Sequence, residues 1–203
     1  MERRDKTNYY LDLADVVSKR GTCLRRRYGA VIVKNDEVIS TGYVGAPRGR
    51  KNCTDVGTCV REKMNIPRGE RYELCRSVHA EANAIISAER ERMIGSSLYL
   101  SGREMKTGEY IKNSCCCSMC KRMVINAGIE TVYIRDDEDN YRRIAVEEWI
   151  VNDESLEGVR GYYCDRFVGK PDISCDKNYG SNAKKHGVTV LFLMESKNKT
   201  CIF

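Results

Sequence analysis

The stretch HAEANAIISAERER (79–92), read together with CSMCKRMVINAGI (117–129), decides how this 203-residue sequence is understood. Both stretches have the apolar spacing of helices, and both carry metal-ligating side chains at their start. His79 and Glu81 are two positions apart, so the first turn of a helix can direct both toward one pocket. Cys117 and Cys120 are three apart at the second helix start, which lets both thiolates meet one ion. One imidazole and two thiolates suit zinc and leave the fourth tetrahedral position to water, whose pKa the ion lowers. Glu81, outside the ligand set, is placed to carry the proton. A lone Cys-x-x-Cys also fits a redox pair or a structural zinc knuckle; its conjunction with His-x-Glu favours a catalytic metal.

Outward from these stretches the chain alternates. Residues 9–20 carry Tyr10, Leu13, Ala14 and Val17 at helical spacing, with Gly21 as a stop. YGAVIV (28–33) and EVISTGY (37–43) flank Lys34-Asn35-Asp36 and read as a hairpin. SSLYLSG (96–102) and ETVYIR (130–135) read as strands on either side of the second helix, YRRIAVEEWI (141–150) as a further helix, and VTVLFL (188–193) as a late strand. The β-α-β order predicts a sheet with packed helices. Residues 44–77, broken by Gly45, Pro47, Gly49, Gly57, Pro67 and Gly69, form a loop long enough to hold a ligand, a metal or a neighbouring subunit. A single domain over 1–203 is expected, with an unassigned insertion at 151–187.

Composition narrows the setting. Hydrophobic residues make up 41% and charged residues 32%, as in an ordinary soluble protein. MERRDKTNYY lacks the apolar stretch of a secretory signal, and VTVLFLM (188–194) is too short to span a bilayer, so no membrane partner and a cytoplasmic setting are expected. Eleven cysteines, an odd number, argue against a paired disulfide framework and for metal ligation. Cys23, Cys53, Cys59 and Cys75 form a second group, readable as another metal site or as buried free thiols; Cys164, Cys175 and Cys201 have no comparable spacing. The net charge of +6 includes Arg25, Arg26, Arg27, Arg48, Arg50 and Lys51, able to meet a phosphate or a polynucleotide, or simply to face solvent. The acids Asp136, Asp137, Glu138 and Asp139 read as a solvated surface.

The constellation resembles the cytidine and deoxycytidylate deaminase family, most of all its deoxycytidylate branch, through YGAVIV, GYVGAPRG (42–49), HAEANAI (79–85) and CCSMCKRMVINAGI (116–129). The resemblance implies an α/β fold of three layers, α/β/α, with a mixed central sheet. It implies zinc on His79, Cys117 and Cys120, and Glu81 as the catalytic proton carrier. Where family members usually have Pro before the first zinc cysteine this sequence has Cys116, so Cys115, Cys116 and Cys117 compete as ligand; family spacing selects Cys117. Family members commonly have Asn at the position of Val44, whose side chain cannot read a sugar hydroxyl. Arg26, Arg48 and Arg50 are phosphate candidates for substrate or effector, and Tyr110 a candidate to stack on the base. Some deoxycytidylate deaminases have an additional structural zinc near the regions of the second cysteine group. The resemblance further implies conversion of deoxycytidine monophosphate to deoxyuridine monophosphate. It also implies a homo-oligomer, a hexamer, activated by deoxycytidine triphosphate with Mg2+ and inhibited by deoxythymidine triphosphate. Two other functions compete: a deaminase acting on RNA or DNA, and an inactive zinc-stabilised nucleotide-binding protein.

Overall fold

The computed structural model describes residues 3–67 and 69–153. The expected insertion at 151–187 beyond residue 153, the strand at 188–193 and Cys164, Cys175 and Cys201 lie outside the described residues.

Helix α1 (Lys6–Ser18) opens on Asp5, whose carboxylate accepts from the backbone N–H of Asn8. Strands β1 (Arg26–Lys34) and β2 (Glu37–Tyr43) form the expected hairpin. Asn35 and Asp36 at its tip both have positive φ, 51° and 65°, the geometry a tight two-residue connection demands. The long loop then contains two single-turn helices, α2 (Cys53–Val56) and α3 (Val60–Lys63), and a 3-10 turn, Tyr72–Leu74. After it come α4 (Ala80–Ile86), α5 (Arg90–Met93), β3 (Ser97–Glu104), α6 (Ser118–Ala127), β4 (Thr131–Arg135), β5 (Tyr141–Ala145) and α7 (Glu147–Val151). The sheet order is β2-β1-β3-β4-β5; β3 and β4 run parallel and the other neighbours antiparallel.

A sheet covered on both faces needs strands that are apolar on both, and β1 meets that condition. Ala30 and Ile32 join Leu98, Leu100, Val132 and Ile134 under α4 and α6, while Val31 and Val33 join Tyr99 under Tyr10, Leu11 and Ala14 of α1. The result is the three-layer α/β/α architecture with a mixed sheet. Two glycines permit the close approach of the outer layers. A Cβ on Gly29 would lie 2.1 Å from the carbonyl oxygen of Ala14 in α1, and one on Gly42 would lie 2.3 Å from both Ala80 O and Ala84 N in α4.

Two helix expectations need correction. Residues 79–92 are not one helix: α4 ends at Ile86, where the Ser87 hydroxyl donates to the Asn83 carbonyl at 2.7 Å and tightens the last turn, and α5 follows separately. Residues 141–150 begin as a strand. The Asp137 carboxylate accepts from the backbone N–H groups of Asp139 and Asn140, making a tight turn that sends Tyr141–Ala145 back along β4. Only the following Glu147–Val151 is helical. The acidic run is therefore a built turn: Asp136 pairs with Arg142 at 2.6 Å and Asp139 with Arg4. Next to it, fully buried Arg135 donates to the carbonyl oxygens of Glu138 and Asn8, tying β4 to α1.

Candidate metal centre

His79 and Cys117 are the N-cap residues of α4 and α6, and α4 packs against α6. Both caps have extended backbone, φ −70° and ψ 155° for His79, φ −68° and ψ 164° for Cys117, so each side chain leaves its helix at the mouth. Cys120 lies one turn into α6 and is 1% exposed. Nδ1 of His79 is 3.4 Å from the Sγ atoms of both Cys117 and Cys120. The three ligand atoms all lie within 4.8 Å of one another, the one such group of three among the described residues. One nitrogen and two sulfurs around a common point are a donor set that fits zinc with a coordination position left open.

Without an ion, the three ligand side chains share protons among themselves. The Cys117 thiol is pulled down to about 4, first by the hydrogen bond from Cys120 and then by His79, although burial opposes this. Cys120, which supplies that hydrogen bond and is buried, is shifted up. Burial works against a charged His79, yet its bond to Cys117 and the charge of Glu81 hold its pKa above the usual value. A cation would take over the role of the shared proton and favour both thiolates.

Glu81, 5% exposed in the first turn of α4, has its pKa raised by burial, with His79 opposing. Cys116 is buried near Glu81, and burial followed by the Glu81 charge pushes its thiol well up. Neither Cys116 nor Cys115 enters the three-atom cluster; the cysteines that meet His79 there are Cys117 and Cys120. The placement of Cys116 near Glu81 had no signal in the sequence beyond a departure from the usual proline.

The remaining candidates are distributed differently. Cys23, Cys53, Cys59 and Cys75 line one cavity of about 20 Å³ together with Arg61 and Arg76, but they do not form a cluster as close as the first. Burial raises the pKa of the Cys75 thiol. Arg48 and Arg50 are exposed, whereas Arg26 is engaged by Glu104 at 2.6 Å. Val44 is 6% exposed and sits with its Cγ1 against Gly21. The Tyr110 ring is covered by Arg103, 3.7 Å from its centroid, with Arg135 at 5.5 Å. Its face is thus occupied by guanidinium groups that also bond to α1, through Asp15 and Asn8. Sequence reading missed Tyr72, whose ring stands edge-on to the His79 imidazole.

Residues 4–135 match the family model described as the cytidine and deoxycytidylate deaminase zinc-binding region. The chain belongs to that family. The deoxycytidylate deaminase of Mycobacterium phage D29 is 36% identical over 137 residues, 65% of this chain and 95% of that protein. Those of Schizosaccharomyces pombe and Saccharomyces cerevisiae are 33% and 34% identical, covering 62% and 66% of this chain. The matches span only 35% and 40% of those two yeast proteins' own length. Among solved structures, the dCMP deaminase of cyanophage S-TIM5 in complex with dCMP and dUMP aligns at 23% identity and a TM-score of 0.45, over 68% of this chain and 85% of that one. No helix among the described residues is long and apolar enough to cross a membrane.

Proposed function

We propose that this chain catalyses the hydrolytic deamination of deoxycytidine monophosphate to deoxyuridine monophosphate and ammonia. The observation that carries the reading is the convergence of buried Glu81 with the ligand atoms of His79, Cys117 and Cys120 at the paired starts of α4 and α6. The deoxycytidylate deaminases among its relatives direct the choice of substrate.

Zinc held by His79, Cys117 and Cys120 would supply the Lewis acidity that makes water a nucleophile near neutral pH. Glu81 accepts a proton from that water as its oxygen bonds to C4 of the cytosine ring, and delivers it to N3. It then passes the second proton from the added oxygen to the exocyclic amine. The C4–N bond breaks, ammonia leaves, and the C4 carbonyl forms. Burial shields the carboxylate from bulk water and favours its protonated form, which suits a group that must receive and return protons.

The test is ammonia release from deoxycytidine monophosphate, cytidine monophosphate, deoxycytidine, cytidine and short RNA or DNA, each with and without deoxycytidine triphosphate plus Mg2+. The deoxynucleoside monophosphate is expected to react best, with exposed Arg48 and Arg50 supplying the phosphate chemistry. Equal turnover of deoxycytidine would remove the phosphate reading. Reaction of a polynucleotide alone would overturn the choice of substrate. Stimulation by the triphosphate belongs to the same reading, as do a homo-oligomer and a cytoplasmic setting, which suits the free thiols Cys23, Cys53, Cys59 and Cys75.

A second, structural zinc is part of the proposal, supported by the four cysteine side chains around one small cavity. Ligation would draw their sulfurs closer together. Metal analysis of purified, untagged protein should then approach two zinc ions per chain; a reproducible value near one would sink this part. Cys75→Ser should lower metal content and stability more than it changes turnover, because a structural ion contributes folding energy directly.

A further inference from the structure

We infer that Tyr72 is a positioning residue for the metal ligand His79, and that buried Arg61 holds Tyr72 in place. The inference rests on the proposed reading of His79 as a ligand and adds what fixes its ring.

A ligating histidine works only if its ring plane is held, and the torsion that turns the ring is broad. The usual device is a hydrogen bond from the second ring nitrogen to a carboxylate, carbonyl or water. Among the described residues, the side-chain hydrogen bonds of His79 run through Nδ1, the nitrogen facing the two thiols. Its ring is instead met by Tyr72, with centroids 4.9 Å apart and planes at 87°. An edge-to-face aromatic contact of this kind is attractive and resists ring rotation in either sense.

Tyr72 is itself anchored. The Arg61 guanidinium lies over its ring, Cζ 4.5 Å from the centroid. Arg61 is 6% exposed, although it comes from a loop rich in polar residues. Its Nη2 donates to the carbonyl oxygens of Pro67 at 2.7 Å and Glu70 at 2.5 Å, which fixes the guanidinium independently of the tyrosine. A buried cation pinned by backbone acceptors and laid on an aromatic face forms a rigid support. The chain thus runs from the folded loop through Arg61 and Tyr72 to the imidazole. Arg61 also lines the cysteine cavity, so one side chain joins that cavity to the tyrosine beside His79.

The test measures zinc release from the folded, full-length protein into an excess of chelator, with turnover and melting temperature recorded beside it. The release phase that belongs to this site is the one absent from His79→Ala. In Tyr72→Phe, which keeps the ring, that phase should stay within about twofold of the parent rate. In Tyr72→Leu, which fills space without a ring, it should be about 10-fold faster. Arg61→Met frees the ring without removing it and should fall between the two. Release from Tyr72→Leu or Arg61→Met at the parent rate, or from Tyr72→Phe as fast as from Tyr72→Leu, would overturn the brace while leaving the ligand reading intact. An unchanged phase in His79→Ala would overturn both.

Discussion

Glu81→Gln is expected to retain its metal and its fold while turnover falls by about 10²–10⁴-fold, the range general acid-base assistance contributes. The side chain is 5% exposed in the first turn of α4, and the amide has the same shape, so packing against the sheet is preserved. Glu81 is outside the three-atom ligand group, so zinc content should match the parent. What disappears is a group that can take a proton from water and hand it to the base. The measurement is steady-state turnover of deoxycytidine monophosphate alongside zinc analysis and a thermal melt. Turnover within threefold of the parent, with contaminating deaminase excluded, would remove Glu81 from the mechanism.

A large loss of stability is expected from Gly42→Ala. The added methyl would sit 2.3 Å from Ala80 O and Ala84 N, both backbone atoms of α4, and neither can rotate away as a side chain would. Relief requires α4 to move off β2, which also strains the 2.7 Å bond from the Asn83 amide to the Tyr43 carbonyl. Overpacking of this type costs about 3 kcal/mol. The same movement displaces His79 and Glu81 from Cys117 and Cys120, and misplacement by about 1 Å can cost 10²-fold in rate. Urea unfolding and turnover should therefore fall together. Thr41→Ala, at the neighbouring exposed position, provides the control and should shift stability by no more than about 0.5 kcal/mol. An unchanged midpoint for Gly42→Ala would show that the two layers are not in contact as described.

The centre was legible in the sequence because its parts are local. His79 with Glu81 and Cys117 with Cys120 are short spacings at helix starts, so local periodicity is enough to set them toward a common pocket. YGAVIV likewise read as a strand, and the structure buries Ala30–Val33 within it. What escaped was non-local or carried an ordinary surface residue type. Arginine ordinarily faces solvent, yet Arg61 and Arg135 are buried, with backbone carbonyls distant in sequence or folded back upon them accepting their protons. Tyr72 meets His79 only after the loop has turned twice. Residues 141–145 failed for another reason. Tyr141 and Ile144 are three apart, the helical spacing, yet pairing with β4 made the segment a strand. The cysteines at 23, 53, 59 and 75 line one cavity, but sequence cannot supply the separations that decide whether their sulfurs share an ion.

The excursion between the hairpin and α4 begins and ends at a clamp. Gly45 N–H donates to the Val78 carbonyl at 3.2 Å, and Val78 N–H returns a bond to Gly45 at 2.8 Å. Residue 45 follows directly on the strand-anchored hairpin, and residue 78 immediately precedes His79. The backbone just before His79 is consequently tied to the sheet by this bridge, while residues inside the excursion meet the ring, Tyr72 directly and Arg61 through Tyr72. Because the entropy of closing a loop grows only slowly with its length, relatives can lengthen or shorten this segment and so vary what it contacts, while the ligand keeps its register against the sheet.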